Sequence, residues 1–404
     1  MKILHFANWH STNIGNGALI HGTERVLHDD IDSSIEFVSE AWDDYTFGLK
    51  KWDQVFVDLV NRHDAIVVNG AVTFNAFRRH NVHTGTRFDL PLPLWDAIQK
   101  PIILYGLSYR CWPFQKYPNK KAFRKFLAYV CANPHRIFFG VRNDGTKEWI
   151  QRTFGFESPH VHEVPDPGLF VPHANHEYPE LDPKRKNIIV AFNGEDPAYR
   201  FATSTQKLFW PRGLNIFNQS TLERICSYTG GYKKKRSAVI EEIVRAAELI
   251  LKHCPNAGFI LAPHYLDDYG LIQEFVEKVE ERLAHQRTVT TGLLQVPHTS
   301  YFYGRYAKAD LVVAMRVHSM SPSIGLGTPV IPVTSQGRMR VFLKKAGLEH
   351  IAVDVTCKDF GERIAEKALQ LLDAPEQHTK DLRAAADRLR EQSRLVNRKI
   401  ASML

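Results

Sequence analysis

Cysteine is scarce in this chain of 404 residues, and the five present (Cys111, Cys131, Cys226, Cys254, Cys357) are odd in number and widely separated, with no CxxC pair. That excludes a disulfide framework and a cysteine zinc site, so they are expected to be buried thiols. Long hydrophobic runs are missing as well. The apolar stretches FILA, LVVAM and IFF are strand-sized, far short of the roughly 18 residues that span a bilayer. The start, MKILHFANWH, has no signal-peptide cleavage pattern, so the protein is expected in the cytoplasm. Several motifs are absent: GxGxxG, a Walker GK[ST], HExxH and GxSxG. Their absence argues against a dinucleotide fingerprint, a P-loop, a zinc hydrolase and a serine hydrolase. His80 and His83, and His160 and His162, lack a carboxylate set at metal-ligand spacing and read as surface or loop histidines, so no metal is expected. Neither an internal repeat nor a low-complexity tract occurs.

The most telling absence is of charge of one sign. Between Leu311 and Leu348 there is no Asp or Glu, although the chain holds 44 of them; the window does contain Arg316, His318, Arg338, Arg340, Lys344 and Lys345. The whole chain carries a formal charge of +8. A total cannot choose between nucleic acid, an anionic membrane and small anionic substrates. A local carboxylate-free window favours a small, highly charged ligand.

What is present reads as α/β. Hydrophobic residues at 44% and charged residues at 24% are ordinary globular values. Short β-branched runs predict strands at 2–7, 35–38, 64–69, 101–106, 136–140 and 161–164. After a polar, proline-containing linker at 174–186 come strands at 187–192, 257–262, 288–291, 310–315 and 329–333. Amphipathic segments at 120–131, 144–154, 237–253, 271–285, 299–308, 361–372 and about 377–402 predict helices between and after them. The expected architecture is two doubly wound Rossmann-like domains, 1–175 and 187–375, with a C-terminal helix over 376–404 and a cleft between the domains. Ligands in such folds bind beyond the carboxyl ends of strands.

Two loops there could carry chemistry. Ser11 to Leu19, with Asn13, Gly15, Asn16 and Gly17 ahead of a helix, offers backbone N–H groups to an anion or a sugar hydroxyl; a tight turn with asparagine capping explains it equally well. Arg316-Val317-His318-Ser319 follows the strand over 310–315, and a short helix of small residues comes next, with Ser321 and Pro322 suited to its first turn. A guanidinium can clamp phosphate or carboxylate, and a histidine two residues on can donate a proton. The plainer alternative is a capping arginine and a satisfied interior histidine. Asp267 and Asp268 read as a helix-start pair of acids, or as ligands of sugar hydroxyls or a cation. Arg200, after the strand over 187–192, is a further phosphate candidate. The run Lys233-Lys234-Lys235-Arg236 reads as a solvated loop, with contact to an anionic membrane face or a lipid-diphosphate-linked acceptor as the sharper alternative; no aromatic interleaving points to nucleic acid.

Arg316-Val317-His318-Ser319 followed by Gly327-Thr328-Pro329-Val330-Ile331 resembles the RxHS…GxPVI signature of the polysaccharide pyruvyl transferases. Asn13-Ile14-Gly15-Asn16, Asp64 to Gly70, Val141-Arg142-Asn143 and Val164-Pro165-Asp166-Pro167 resemble that family's other blocks, in order. The resemblance implies a glycosyltransferase B type fold and no cofactor. It implies transfer of the enolpyruvyl unit of phosphoenolpyruvate, as co-substrate, to two hydroxyls of a free or lipid-linked sugar, giving a pyruvate ketal. His318 would be the general acid and Arg316 would hold phosphate or carboxylate. Asn13, Gly15, Asn16, Arg142, Arg200, Ser319 and Arg338 would contact substrates. The chain departs from the family where Ser335 and Arg338 replace the usual Tyr and Lys, and where Asn69-Gly70-Ala71 replaces a triple glycine. Two alternatives are a nucleotide-sugar glycosyltransferase on the same fold and an inactive glycan-binding protein.

Overall fold

A computed structural model of the chain describes residues 1–70, 73–76, 81–112, 115–194, 204 and 230–404. They cluster into two compact units: Met1–Ser11 with Gly15–Pro172 and Asp387–Leu404, and Thr12–Ile14 with His173–Ala386.

The first unit is built on a parallel six-stranded sheet. Its strands are β1 (Lys2–Ala7), β2 (Glu36–Ala41), β3 (Ala65–Asn69), β5 (Ile102–Leu107), β7 (Ile137–Arg142) and β8 (Val161–Val164), in the order β2-β1-β3-β5-β7-β8. The short strands β4 (Phe74–Asn75) and β6 (Tyr109–Arg110) pair separately. The second unit repeats the plan with β9 (Lys186–Ala191), β10 (Ala257–Leu261), β11 (Thr288–Thr290), β12 (Leu311–Ala314), β13 (Val330–Thr334) and β14 (Val353–Asp354), in the order β11-β10-β9-β12-β13-β14. Every residue of β3, β5, β10, β12 and β13 is buried. This is why these strands read as continuous apolar runs: helices cover both faces of a parallel sheet, so alternation disappears.

In each sheet the chain starts near the middle, moves outward to one side, then reverses. The reversal falls between β1 and β3 in the first unit and between β9 and β12 in the second. Loops leaving adjacent strands there diverge to opposite faces and leave a crevice at the carboxyl edge, the favoured ligand position of such sheets.

The predicted strands are all present with boundaries shifted by up to three residues, while the helix predicted from 237 starts at Gly230. Strands β4, β6 and β14 are two residues each, too short to show a period. The single helix expected over 271–285 is two, Tyr269–Lys278 and Glu281–Gln286, parted where Val279 is extended (φ −73°, ψ 154°). Cys111, Cys131, Cys254 and Cys357 are free but only partly buried, a correction to the expectation of buried thiols; Cys226 lies outside the described residues. The linker region is anchored. Ala174 N–H donates to Ser300 O (2.9 Å), Tyr178 Oη to Ala174 O (2.7 Å) and Arg305 Nη1 to Glu180 Oε1 (2.7 Å). Gly304 on the helix Thr299–Lys308 makes room for this, since a Cβ there would run into Tyr178 Oη and Ala174 O.

Candidate functional site

In the second unit the residues that leave β9 and β12 meet at the carboxyl edge where the strand order reverses. Phe192, Asn193 and Gly194 follow β9; Met315, Arg316, Val317 and His318 follow β12. Asn193 Nδ2 donates to Met315 O (3.1 Å), tying the two exits together.

Asp268 organises this edge. It sits in the short 3₁₀ turn Leu266–Asp268 after β10, is fully buried, and accepts five hydrogen bonds. Three come from the backbone N–H groups of Gly194 (2.8 Å), His264 (2.9 Å) and Tyr265 (3.0 Å). Two come from Arg316, with Nε at 3.1 Å from Oδ2 and Nη2 on Oδ1. Arg316 Nε also reaches Phe192 O (3.0 Å). The carboxylate-free window is therefore not carboxylate-free in space: an acid from an earlier loop faces its central arginine. Asp268 is a helix-start acid, as the sequence suggests, and an ion-pair partner, which the sequence does not show.

His318 owes its placement to Pro322. The helical span Val317–Leu326 is two helices meeting in a kink at His318, and Pro322 stands in the opening turn of the second, where the sequence suggests it. Proline has no N–H and its ring crowds the carbonyl four residues back, here that of His318. His318 accordingly leaves helical geometry (φ −88°, ψ 16°), in the sparsely populated bridge region where many active-site residues lie. Its carbonyl takes a hydrogen bond from Tyr303 Oη instead (2.7 Å). From Arg316 to Ile324 every residue but His318 is buried. Ser319 is fully buried, its Oγ accepting from Arg316 N (3.2 Å) and donating to Arg316 O (2.9 Å). Gly327, at φ 71°, ends the helix in the left-handed region that favours glycine.

His264, missed by sequence reasoning, completes the cluster. It is fully buried, with Nε2 2.7 Å from Tyr306 Oη. Burial, then the positive charges of Arg316, His318 and Arg305, push its pKa well below the ordinary value, so it is neutral. Burial pushes the Tyr306 phenol far up, so it too is neutral. Only the pattern Pro263-His264-Tyr265 at a strand end could have drawn attention to it.

The other predicted residues are distributed between the units. Thr12–Ile14, including Asn13, cluster with the second unit, where Ile14 N–H donates to His264 O (3.0 Å). Arg338 is half-buried in the first turn of the helix Gly337–Ala346, with Nη2 donating to Gln336 Oε1 (3.2 Å). Gly15 and Asn16 belong to the first unit, where Asn16 Nδ2 donates to Ser11 Oγ (2.7 Å). Arg142, at the end of β7, is 2% exposed and pairs with buried Asp166 (Nε to Oδ2 3.3 Å), while its Nη2 reaches Gly70 O (3.4 Å). Gly70 packs beside Asn8, whose Oδ1 lies 3.1 Å from where a Cβ would be. Arg200 lies outside the described residues, as do Ala71 and His80.

Two readings are corrected. Lys233 to Arg236 do not form a loop: the helix starts at Gly230 and runs to His253, so the three lysines are exposed on its opening turns and Arg236 pairs with Glu274 (2.8 Å). His162 is not a loop residue: it lies in β8, half-buried, with its ring stacked on Phe138 at 5.0 Å. Among the described residues, no group of three or more His, Cys, Asp and Glu side chains could hold a metal ion, and no helix is long and apolar enough to cross a membrane.

Comparison with known proteins bears on this geometry. A glycosyltransferase from Rickettsia africae ESF-5 superposes with a TM-score of 0.52 at 9% identity, covering 99% of this chain and 96% of that one. A UDP-GlcNAc 2-epimerase from Neisseria meningitidis, bound to UDP-GlcNAc, gives 0.49 at 11% identity, with 97% and 99% covered. The first likeness shows the fold, two Rossmann-like units of the glycosyltransferase B type. No curated protein matches the chain. The family model described as polysaccharide pyruvyl transferase matches residues 13–337, and the chain therefore belongs to the polysaccharide pyruvyl transferase family, a family of transferases.

Proposed function

We propose that the protein transfers the pyruvyl group of phosphoenolpyruvate to two hydroxyls of a sugar in a polysaccharide or its precursor. The observation that carries this reading is the placement of His318, the one residue between Arg316 and Ile324 that is not buried, at the carboxyl edge of a sheet whose strand order reverses there. Family membership supports it.

In this reaction the donor's methylene carbon gains a proton and the neighbouring carbon develops oxocarbenium character. One sugar hydroxyl adds to that carbon, the second forms the other C–O bond, and the bond to phosphate breaks. One hydroxyl proton replaces the proton delivered to carbon and the other leaves with phosphate, so the step needs no redox partner. His318 delivers the proton to the methylene, and general acid catalysis of this kind contributes about 10²–10⁴ in rate. Arg316 meets a carboxylate or phosphate of the donor, with Arg338 and Arg200 as further cationic contacts. Ser319, buried, holds the Arg316 backbone through its hydroxyl, and Arg142, buried in the first unit, braces the Gly70 carbonyl there. Asn13, Gly15 and Asn16 address acceptor hydroxyls. The acceptor is a free or lipid-linked oligosaccharide, and the exposed Lys233–Lys235 turn suits peripheral contact with an anionic inner membrane face.

The test is incubation with phosphoenolpyruvate and a panel of oligosaccharides. The expected result is an acceptor mass gain with equimolar phosphate release, lowered by about 10²–10⁴ in His318→Gln. Saturation by a sugar nucleotide instead, or an unchanged rate in His318→Gln, overturns it. Arg316→Ala is a poor probe: stripping one partner from a buried ion pair costs about 3–5 kcal/mol, so lost folding would mimic lost activity.

A further inference from the structure

We infer that Asn8, Asp43 and Thr73 form a subsite in the first unit for hydroxyl groups of the acceptor sugar; this deepens the acceptor part of the reading above and rests on it. The three residues follow β1, β2 and β3, neighbours at the edge where that sheet reverses. Asn8 is 3% exposed, and its Nδ2 donates to Asp43 Oδ1 (3.1 Å). That bond fixes both side chains and leaves Asn8 Oδ1 and Asp43 Oδ2 as buried acceptors to which no described residue donates. Thr73, three residues beyond Gly70, is 1% exposed, and its Oγ1 also has no partner among the described residues. Buried polar atoms are nearly always hydrogen-bonded, so three orphaned oxygens on the exits of three adjacent strands point to a partner that is not protein.

Gly70 keeps room for that partner. A Cβ there would stand 3.1 Å from Asn8 Oδ1 and 3.1 Å from the edge of the Trp42 indole, so any side chain at this position fills the space against the amide oxygen. The oxygens themselves select the ligand. They are one carboxylate, one amide and one hydroxyl, with a single formal charge. Calcium or magnesium takes six or more oxygens, and no group of three or more His, Cys, Asp and Glu among the described residues could hold a metal. A hydroxyl needs one acceptor each, a sugar presents several at once, and the Thr73 hydroxyl can donate in return.

Saturation-transfer NMR on the full-length protein, without phosphoenolpyruvate, tests this. The probes are the methyl glycosides of glucose, galactose, mannose and N-acetylglucosamine, titrated into wild type, Asp43→Asn and Gly70→Ala, with melting temperature measured for each. The expected result is binding of at least one glycoside to wild type, weakened about tenfold or more in both variants and unaffected by EDTA. Three outcomes overturn the subsite: no signal from any of the four, an affinity within about twofold of wild type in either folded variant, or binding lost in EDTA and restored by calcium. The second leaves the oxygens to ordered water, and the third makes them a cation site. Asp43, only partly buried, keeps the test open should Gly70→Ala not fold. Turnover separates this inference from the pyruvyl reading. A glycoside that binds here while no phosphate is released from phosphoenolpyruvate with any acceptor sinks that reading and leaves the hydroxyl site standing; pyruvylation with an acceptor KM unchanged in Asp43→Asn does the reverse.

Discussion

Among single residues, His264 connects sequence, burial and pH most directly. Its folded pKa lies well below the unfolded value of about 6.5. Below pH 6.5 the unfolded chain takes up a proton that the folded protein refuses, so this group's contribution to stability is complete above about pH 6.5. It falls by up to about 1.4 kcal/mol per pH unit below it. Relative to His264→Gln, wild type should lose melting temperature between pH 6.5 and 5; a constant difference across that range would show that His264 does not titrate this way. Arg316 and His318 could be picked out in the sequence because they sit together in a short motif after a strand. Asp268 and His264 could not, because they join the site through backbone and side-chain bonds formed only after two loops meet.

At the scale of one element, the helix Val317–Leu326 is shaped by a conflict between Pro322 and the His318 carbonyl, resolved by Tyr303. Tyr303→Phe removes the donor and leaves that carbonyl without the hydroxyl, at an expected cost of about 1–3 kcal/mol. Pro322→Ala restores a backbone N–H four residues on. The double variant should therefore recover much of the stability lost in Tyr303→Phe while moving His318 toward ordinary helical geometry and lowering turnover; thermal melts together with rates check both halves. The helix itself was legible from its small residues and Gly327. The kink was not, because Pro322 suits the first turn of a helix whether or not another helical turn precedes it. The Lys233–Arg236 run was misread for a related reason: charged residues without apolar periodicity resemble a loop, and the helical hydrogen bonds of Gly230–His253 override that local polarity.

In the whole molecule, the last helix, Glu376–Ala401, shows how far chain order can differ from domain membership. Its residues to Ala386 cluster with the second unit and Asp387–Leu404 with the first. There Arg390 pairs with Asp30 (2.6 Å), Tyr105 Oη donates to Asn397 Oδ1 (3.0 Å), Asn397 Nδ2 donates to Asp30 Oδ2 (2.7 Å), and Leu389 and Ile400 are buried. Each buried aliphatic side chain contributes about 1.5–3 kcal/mol. Truncation after Ala386 should thus speed amide exchange in β1, β3 and β5 and leave β9, β10 and β12 protected. Equal loss in both units would show that the segment does not belong to the first.

The two α/β halves can be read from the sequence, since strands buried on both faces must be continuous apolar runs and the helices between them must carry a 3.6-residue stripe. It also placed Arg316 and His318 at a strand end, because local order alone dictates that. Strand order, hence where each sheet reverses, and the acid that answers the acid-poor window come from tertiary contacts. Asp268 lies 48 residues before Arg316. No local rule connects them, and their bond follows from sheet topology, which brings the exits of β9, β10 and β12 to one edge.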